Sequence, residues 1–288
     1  MVKSASILYL IGQIFFTQTV KAVSKDPLYN WFKGLEPENV VYAVNCGAEE
    51  PFTDQAGIKY LADTDFIGGV ASNEGENYRW VMPNTQVYYS ERWGEEDFFY
   101  KVPIDQYSDA EYTLVLKFAE VYFNEPFMKV FNVAVGDVTI IRDLDIWGKC
   151  GAKLLPHDEF ISLKTQRGEL FVNGQKAKDG ISSDGSLYIR FQKGKADNPK
   201  VNAILLVRGG ADNTHVNNFN AYKQTLIDIQ KEKEAERLKA EAFFQEDAYD
   251  YDERIDGQGI FNNFLATPYA LEATISLFMI GFFNSIPE

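Results

Sequence analysis

Residues 112–118 read Tyr-Thr-Leu-Val-Leu-Lys-Phe. Tyr112, Leu114, Leu116 and Phe118 alternate with Thr113, Val115 and Lys117, so a period of two puts the larger apolar side chains on one face. That is the pattern of a strand laid on a core. Neighbouring stretches repeat it. Val130–Val135 (VFNVAV) runs into Gly136-Asp137 and then Val138–Ile141 (VTII), the layout of a hairpin. Leu170–Val172 meets Asn173-Gly174, a pair suited to a type I′ turn because both central residues need positive φ. Ser186–Phe191 (SLYIRF) and Val201–Val207 (VNAILLV) supply later strands. Short strands with turn signals and no helical period between them predict an all-β fold, a β-sandwich or jelly roll.

Composition narrows the function classes. The chain has 288 residues and is 45% hydrophobic, enough to bury a sizeable core. Lys and Arg number 28 against 42 Asp and Glu, a net charge of −14, and no basic stripe offsets that field, so nucleic acid is not an expected partner. Aromatic residues make up 15%, which suits β structure and the recognition of flat ligand faces. Two His and two Cys leave little for a metal cluster.

The ends carry their own signals. Lys3, the apolar run Ile7–Phe16 and Val20-Lys21-Ala22 have the layout of a signal peptide over residues 1–22, with 23–38 as a mature N-terminal segment. A lumenal address permits a disulfide between Cys46 and Cys150, and two separate buried thiols are the alternative. Residues 209–263 read as a polar, charged helical and acidic linker: 222–244 are rich in helix formers with opposite charges three and four apart, and 246–256 are acidic. Residues 264–283 are an apolar stretch about one bilayer long, interrupted by Pro268 and Glu272, before a short tail, 284–288. The first reading is a single-pass type I transmembrane span with the domain lumenal. A removable GPI signal and a soluble docked helix are the others.

Familiar catalytic motifs are missing: there is no Gly-x-Ser-x-Gly, no phosphate-cradling glycine loop and no His-Glu-x-x-His. His157-Asp158-Glu159 reads as a solvated turn after Pro156, with a general base or calcium site as the alternative. Asp143 and Asp145, or Glu95, Glu96 and Asp97, offer carboxylate pairs of glycosidase type, in a chain where acid pairs are common. The remaining signal is aromatics near carboxylates. A sugar presents flat CH faces and rims of hydroxyls; a rigid ring covers the first, and a carboxylate accepts from the second. Tyr122 and Phe123 follow the strand through Ala119-Glu120-Val121. On the residues alone they are either edge aromatics or a binding pair.

Several runs together resemble the malectin family: Ala43-Val-Asn45, Ser90-Glu-Arg92 with Glu95-Glu96, Val115–Phe123 (VLKFAEVYF), Asp143-Leu-Asp-Ile146, His157-Asp-Glu159 and Asp197–Val201 (DNPKV). KFAEVYF and DNPKV are the specific ones, and the resemblance spans about residues 39–208. It implies an endoplasmic reticulum lectin whose β-sandwich is similar to a carbohydrate-binding module. It further implies binding of glucose disaccharide ends of immature N-glycans, notably the diglucosylated high-mannose form, and association with ribophorin I of the oligosaccharyltransferase. The family's paired Tyr-Phe falls on Tyr122 and Phe123, and its Asp of Asp-Asn-Pro-Lys on Asp197. Its Tyr of Thr-Glu-Arg-Tyr falls on Trp93, which keeps a ring and loses the phenol. Its Tyr of Ala-Ser-Asp-Tyr-Gly falls on Glu74, with Tyr78 the nearest replacement ring.

The expected protein is a non-enzymatic, membrane-anchored lectin in the endoplasmic reticulum. Its ligand would be the glucosylated end of a high-mannose N-glycan, represented by maltose or nigerose, in early glycoprotein quality control. No cofactor or metal enters this reading. The alternatives are an interaction adaptor that has lost sugar binding, and a glycosidase.

Overall fold

The computed structural model describes residues 36–210 apart from 55 and 79–85, with scattered positions between 223 and 239. The signal-peptide reading, nearly all of 23–38, the apolar stretch 264–283 and the tail fall outside the described residues. The strands, in chain order, are β1 (Val40–Asn45), β2 (Phe52–Thr53), β3 (Lys59–Tyr60), β4 (Phe66–Ile67), β5 (Val70–Ser72), β6 (Glu91–Trp93), β7 (Phe98–Pro103) and β8 (Ala110–Ala119). There follow β9 (Val130–Val135), β10 (Val138–Leu144), β11 (Pro156–Gln166), β12 (Glu169–Val172), β13 (Gln175–Ala177), β14 (Ser186–Ala196), β15 (Lys200–Val201) and β16 (Ala203–Arg208). A six-stranded antiparallel sheet runs β1-β16-β8-β11-β12-β13, and a five-stranded one runs β10-β9-β14-β7-β4. Two small sheets, β15-β6-β5 and β2-β3, complete the set.

The decisive stretch forms the middle of β8. Tyr112, Leu114, Leu116 and Phe118 enter a core shared with Phe98, Tyr100, Phe131, Val133 and Phe191 of the five-stranded sheet. Two sheets closed over one core make a sandwich, and each such side chain contributes about 1.5–3 kcal/mol on burial. Val133 and Val135 pair across the Gly136-Asp137 hairpin with Ile141 and Val138. Asn173 and Gly174 have φ of 49° and 80°, as a type I′ turn requires.

The second face of β8 departs from the alternating pattern. It is covered too, because Val115 packs with Ala43, Ile58, Tyr60, Tyr88 and Leu205 in a second apolar cluster. Lys117 on this face is buried and paired, its Nζ 2.5 Å from Asp158 Oδ2, while Asp158 Oδ1 accepts from the Tyr88 hydroxyl at 2.6 Å. His157-Asp158-Glu159 is therefore not a solvated turn. It is the start of β11, aligned with Lys117 and Phe118 of β8, and only Glu159 is half-exposed. A strand may open on a proline, whose missing N–H costs least there, so Pro156 marked a strand start.

One short helix, α1 (Ile146–Cys150), follows β10 where the sequence shows no helical period. It is set by its ends: Asp145 accepts from Gly148 N, and Gly151 closes it at φ 76°. Cys46 and Cys150 are both free and buried, which corrects the disulfide reading. Cys46 directly follows β1, and burial pushes its thiol up, helped by the Asp63 carboxylate. Cys150 ends α1, with Sγ 3.8 Å from the Leu155 and Pro156 carbonyls. The two sulfurs fill separate places in the core.

The described positions between 223 and 239 have helical backbone, and Gln224 donates to Asp228 one turn on. Among the described residues no helix is long and apolar enough to cross a membrane.

Candidate functional site

The site is built where β8 and β14 end. After Ala119 the chain turns on Glu120, which is buried. Its Oε1 accepts the backbone N–H of Tyr122 at 2.8 Å and of Phe123 at 3.0 Å, and its carbonyl accepts Leu154 N–H at 2.7 Å. A carboxylate bonded to two N–H groups of its own turn holds that turn in one shape. Tyr122 is left 74% exposed and Phe123 half-buried, their rings edge to face with centroids 5.0 Å apart.

β14 delivers the carboxylate. Its register with β9 breaks between Gln192 and Ala196, and at Gly194 a Cβ would lie 1.9 Å from Val130 O. Only glycine allows that approach, and the bulge bends the strand just before Asp197. Asp197 has φ 52°, a conformation Asp tolerates better than most residues. Lys129, in the loop before β9, is buried and donates from Nζ to Asp197 Oδ2 and to the Asn198 carbonyl. The same Nζ stands 5.5 Å from the centre of the Phe123 ring. Lys129 thus joins ring to carboxylate, while Asp197 keeps 32% of its side chain open to solvent.

Trp93 reaches this end through strand pairing. It lies opposite Lys200, and Gly94 N–H donates to the Pro199 carbonyl at 3.2 Å. Residues directly opposite in an antiparallel pair point to one face. Lys200 on that face pairs with Glu91 and bonds the Ala119 carbonyl, so Trp93 shares the side that meets the end of β8. Tyr78 is tied less directly: Lys153 Nζ is 5.5 Å from its ring, and the next residue, Leu154, is bonded to Glu120. Glu74 is exposed at the start of the 3-10 turn Glu74–Tyr78, where it accepts from Asn77 Nδ2 at 3.1 Å. No described contact joins it to Asp197 or Tyr122.

Lys129 and Glu120 escaped the reading of the sequence. Glu120 lies inside KFAEVYF, and an acid between apolar residues at a strand end was its available signal. Lys129 had none, since its partner is 68 residues away. Two of the acids proposed for hydrolysis are engaged elsewhere. Asp97 pairs with Arg190 and accepts Lys193 N–H, and both oxygens of Asp145 accept backbone N–H, from Gly148 and Phe127. Among the described residues no group of three His, Cys, Asp or Glu is placed to hold a metal ion. An open cleft of about 450 Å³ lies at the other end of the β7–β14 pair, by Pro103, Asp105, Tyr107 and Asp184. Its acids are turn-makers: Asp105 accepts Tyr107 and Ser108 N–H, and Asp184 takes the Ser182 hydroxyl and pairs with Lys101. That cleft is open, but the carboxylate held by a buried lysine and the rings pinned by a buried glutamate are at Asp197.

A family model described as Malectin domain matches residues 40–204, more than half of the chain. The chain belongs to the malectin family. Malectin of Homo sapiens is 39% identical over 180 residues, covering 61% of this chain and 59% of that protein. Malectin-A of Xenopus laevis is 38% identical over 179 residues, covering 61% and 62%. The chain covers less than two thirds of either malectin. Among solved structures, the ANXUR2 extracellular domain from Arabidopsis thaliana superposes with a TM-score of 0.47 at 16% identity, covering 59% of this chain and 48% of that one. The plant receptor-like kinase FER gives 0.45 at 15% identity, covering 61% and 50%. Likenesses this distant carry no functional argument. The malectin match runs from β1 into β16, so Tyr78, Trp93, Tyr122, Phe123 and Asp197 all lie within it.

Proposed function

We propose that this protein is a non-enzymatic lectin of the endoplasmic reticulum that holds the glucose disaccharide end of a glucosylated high-mannose N-glycan. One observation carries the reading: buried Lys129 ties the exposed Asp197 to the Phe123 ring, beside an exposed Tyr122. The rings cover the CH face of a glucose, and the free side of Asp197 accepts from adjacent hydroxyls. Trp93 adds a second stacking surface, and Tyr78 a polar tip at the margin. Membership of the malectin family supports the sugar as ligand. In this reading residues 1–22 direct the chain to the lumen, 209–263 form a spacer, 264–283 anchor it in the membrane, and ribophorin I is a partner beside which new glycoproteins emerge.

A small sugar covers little surface, so dissociation constants of about micromolar to millimolar are expected for maltose or nigerose. Calorimetric titration of both sugars tests this, and no heat with either at millimolar concentration overturns it. That null result would favour the adaptor reading, which the departures from the family pattern at Glu74 and Trp93 motivate. Incubation with a diglucosylated high-mannose glycan should release no glucose, and release would make the protein a glycosidase.

A further inference from the structure

The loop from β8 to β9 has one feature the disaccharide site does not use. Phe127 is 75% exposed and Met128 46% exposed, at the tip of the loop that carries Tyr122 and Lys129. Phe127 has φ 65°, a left-handed conformation that a bulky side chain rarely adopts. Its backbone N–H donates to Asp145 Oδ2 at 2.7 Å, and the other oxygen of this mostly buried carboxylate caps α1 through Gly148 N. The cap of a neighbouring helix therefore holds the Phe127 backbone in this shape, with its ring in solvent.

We propose that Phe127 forms an outer subsite for the next hexoses of an oligosaccharide whose end sits at Tyr122, Phe123 and Asp197. The inference rests on the reading of that end as a sugar site. Continuity supports it: Lys129, two residues on in the same loop, reaches both Asp197 and Phe123. A ring on a fixed backbone meets a sugar face at small entropic cost. The scale fits a saccharide better than a protein. Two rings and one Met, interrupted by exposed Asn124 and Glu125, fall short of the roughly 800 Å² per partner of a standard protein interface. Met128 adds an adaptable apolar flank where successive hexoses present different edges.

The test is calorimetry on the full chain with maltose, maltotetraose, nigerose and a diglucosylated high-mannose oligosaccharide. One of the longer ligands should bind about tenfold more tightly than its disaccharide, the gain of one further ring face covered. Phe127→Asn should remove that increment and leave disaccharide affinity unchanged. Asn accepts the left-handed conformation, so its melting temperature should equal or exceed that of the native chain. Phe127→Tyr should keep the increment. An increment that survives Phe127→Asn, or none in the native chain while disaccharides bind, overturns the outer subsite alone. Failure of all four ligands overturns the sugar site beneath it as well.

Discussion

The two ends of the sandwich offer similar materials and differ in what lies beneath them. At the end formed by Pro103 and Ser186, Tyr107 is 86% exposed beside Asp105, Asp184 and an open cleft. At the opposite end, Tyr122 is exposed beside Asp197. Hydrogen bonds from Ser182 and Lys101 hold the Asp184 carboxyl below the usual range, and those from Ser108 and Tyr107 do the same for Asp105. These bonds close turns. At the Asp197 end the supporting groups are buried: Glu120 fixes the ring pair from below, and Lys129 sets the carboxylate from behind. Further in, Lys117–Asp158 and Lys200–Glu91 brace the end of β8, Lys200 also bonding the Ala119 carbonyl. Exposed composition does not separate a binding surface from a decorated loop. The buried layer that fixes the geometry is the difference between the two ends.

The largest expected effect lies in that buried layer. Lys117→Met leaves Asp158 with an uncompensated charge in the interior and should cost about 3–5 kcal/mol, read as a fall in denaturation midpoint. Adding Asp158→Leu should recover part of it. A single variant as stable as the native chain would show that the buried pair does not support this end.

Next comes the carboxylate. Asp197→Asn should weaken maltose binding by about 1.5–3 kcal/mol, tenfold or more, and should lower the melting temperature as well, because buried Lys129 loses its partner. Asp184→Asn at the far end should leave binding unchanged. Calorimetry on both variants sharpens the comparison, and equal losses would abolish it.

The rings follow. Tyr122→Ala should weaken binding about tenfold, whereas Tyr107→Ala should not. Neither should alter stability by more than about 0.5 kcal/mol, since both side chains are exposed. Weaker binding from Tyr107→Ala would move the site to the other cleft.

A smaller effect is expected from Trp93→Tyr with Glu74→Tyr. An indole donates and does not accept, so restoring phenols should shift the preference between maltose and nigerose more than the overall affinity. Unchanged preference would place both residues outside the site. The smallest effect should come from reductant. The thiols are separate, so a reducing agent should leave the melting temperature unmoved, and thiol reagent should titrate two groups after unfolding. Because burial holds the Cys46 thiol in its neutral form, it should not react in the native protein. A reductant-sensitive melting temperature would reinstate the bridge.

The sequence by itself determined the sheet structure. The period of two in Tyr112–Phe118, the Gly136-Asp137 and Asn173-Gly174 turns and the later apolar runs are local signals, read within a few residues of where they act. The KFAEVYF and DNPKV runs likewise identified the family, and they made Tyr122, Phe123 and Asp197 candidates for the site. Tertiary structure alone decided which charges are buried. Lys117 lies on the face opposite the larger apolar residues, and only the Tyr88 layer buries it; His157-Asp158 looked like a turn until β11 paired with β8. It also decided that the two cysteines stay apart, and that Lys129 orients Asp197. Each of those outcomes depends on a partner distant in sequence, and a buried charge is tolerable only once the chain has folded that partner against it.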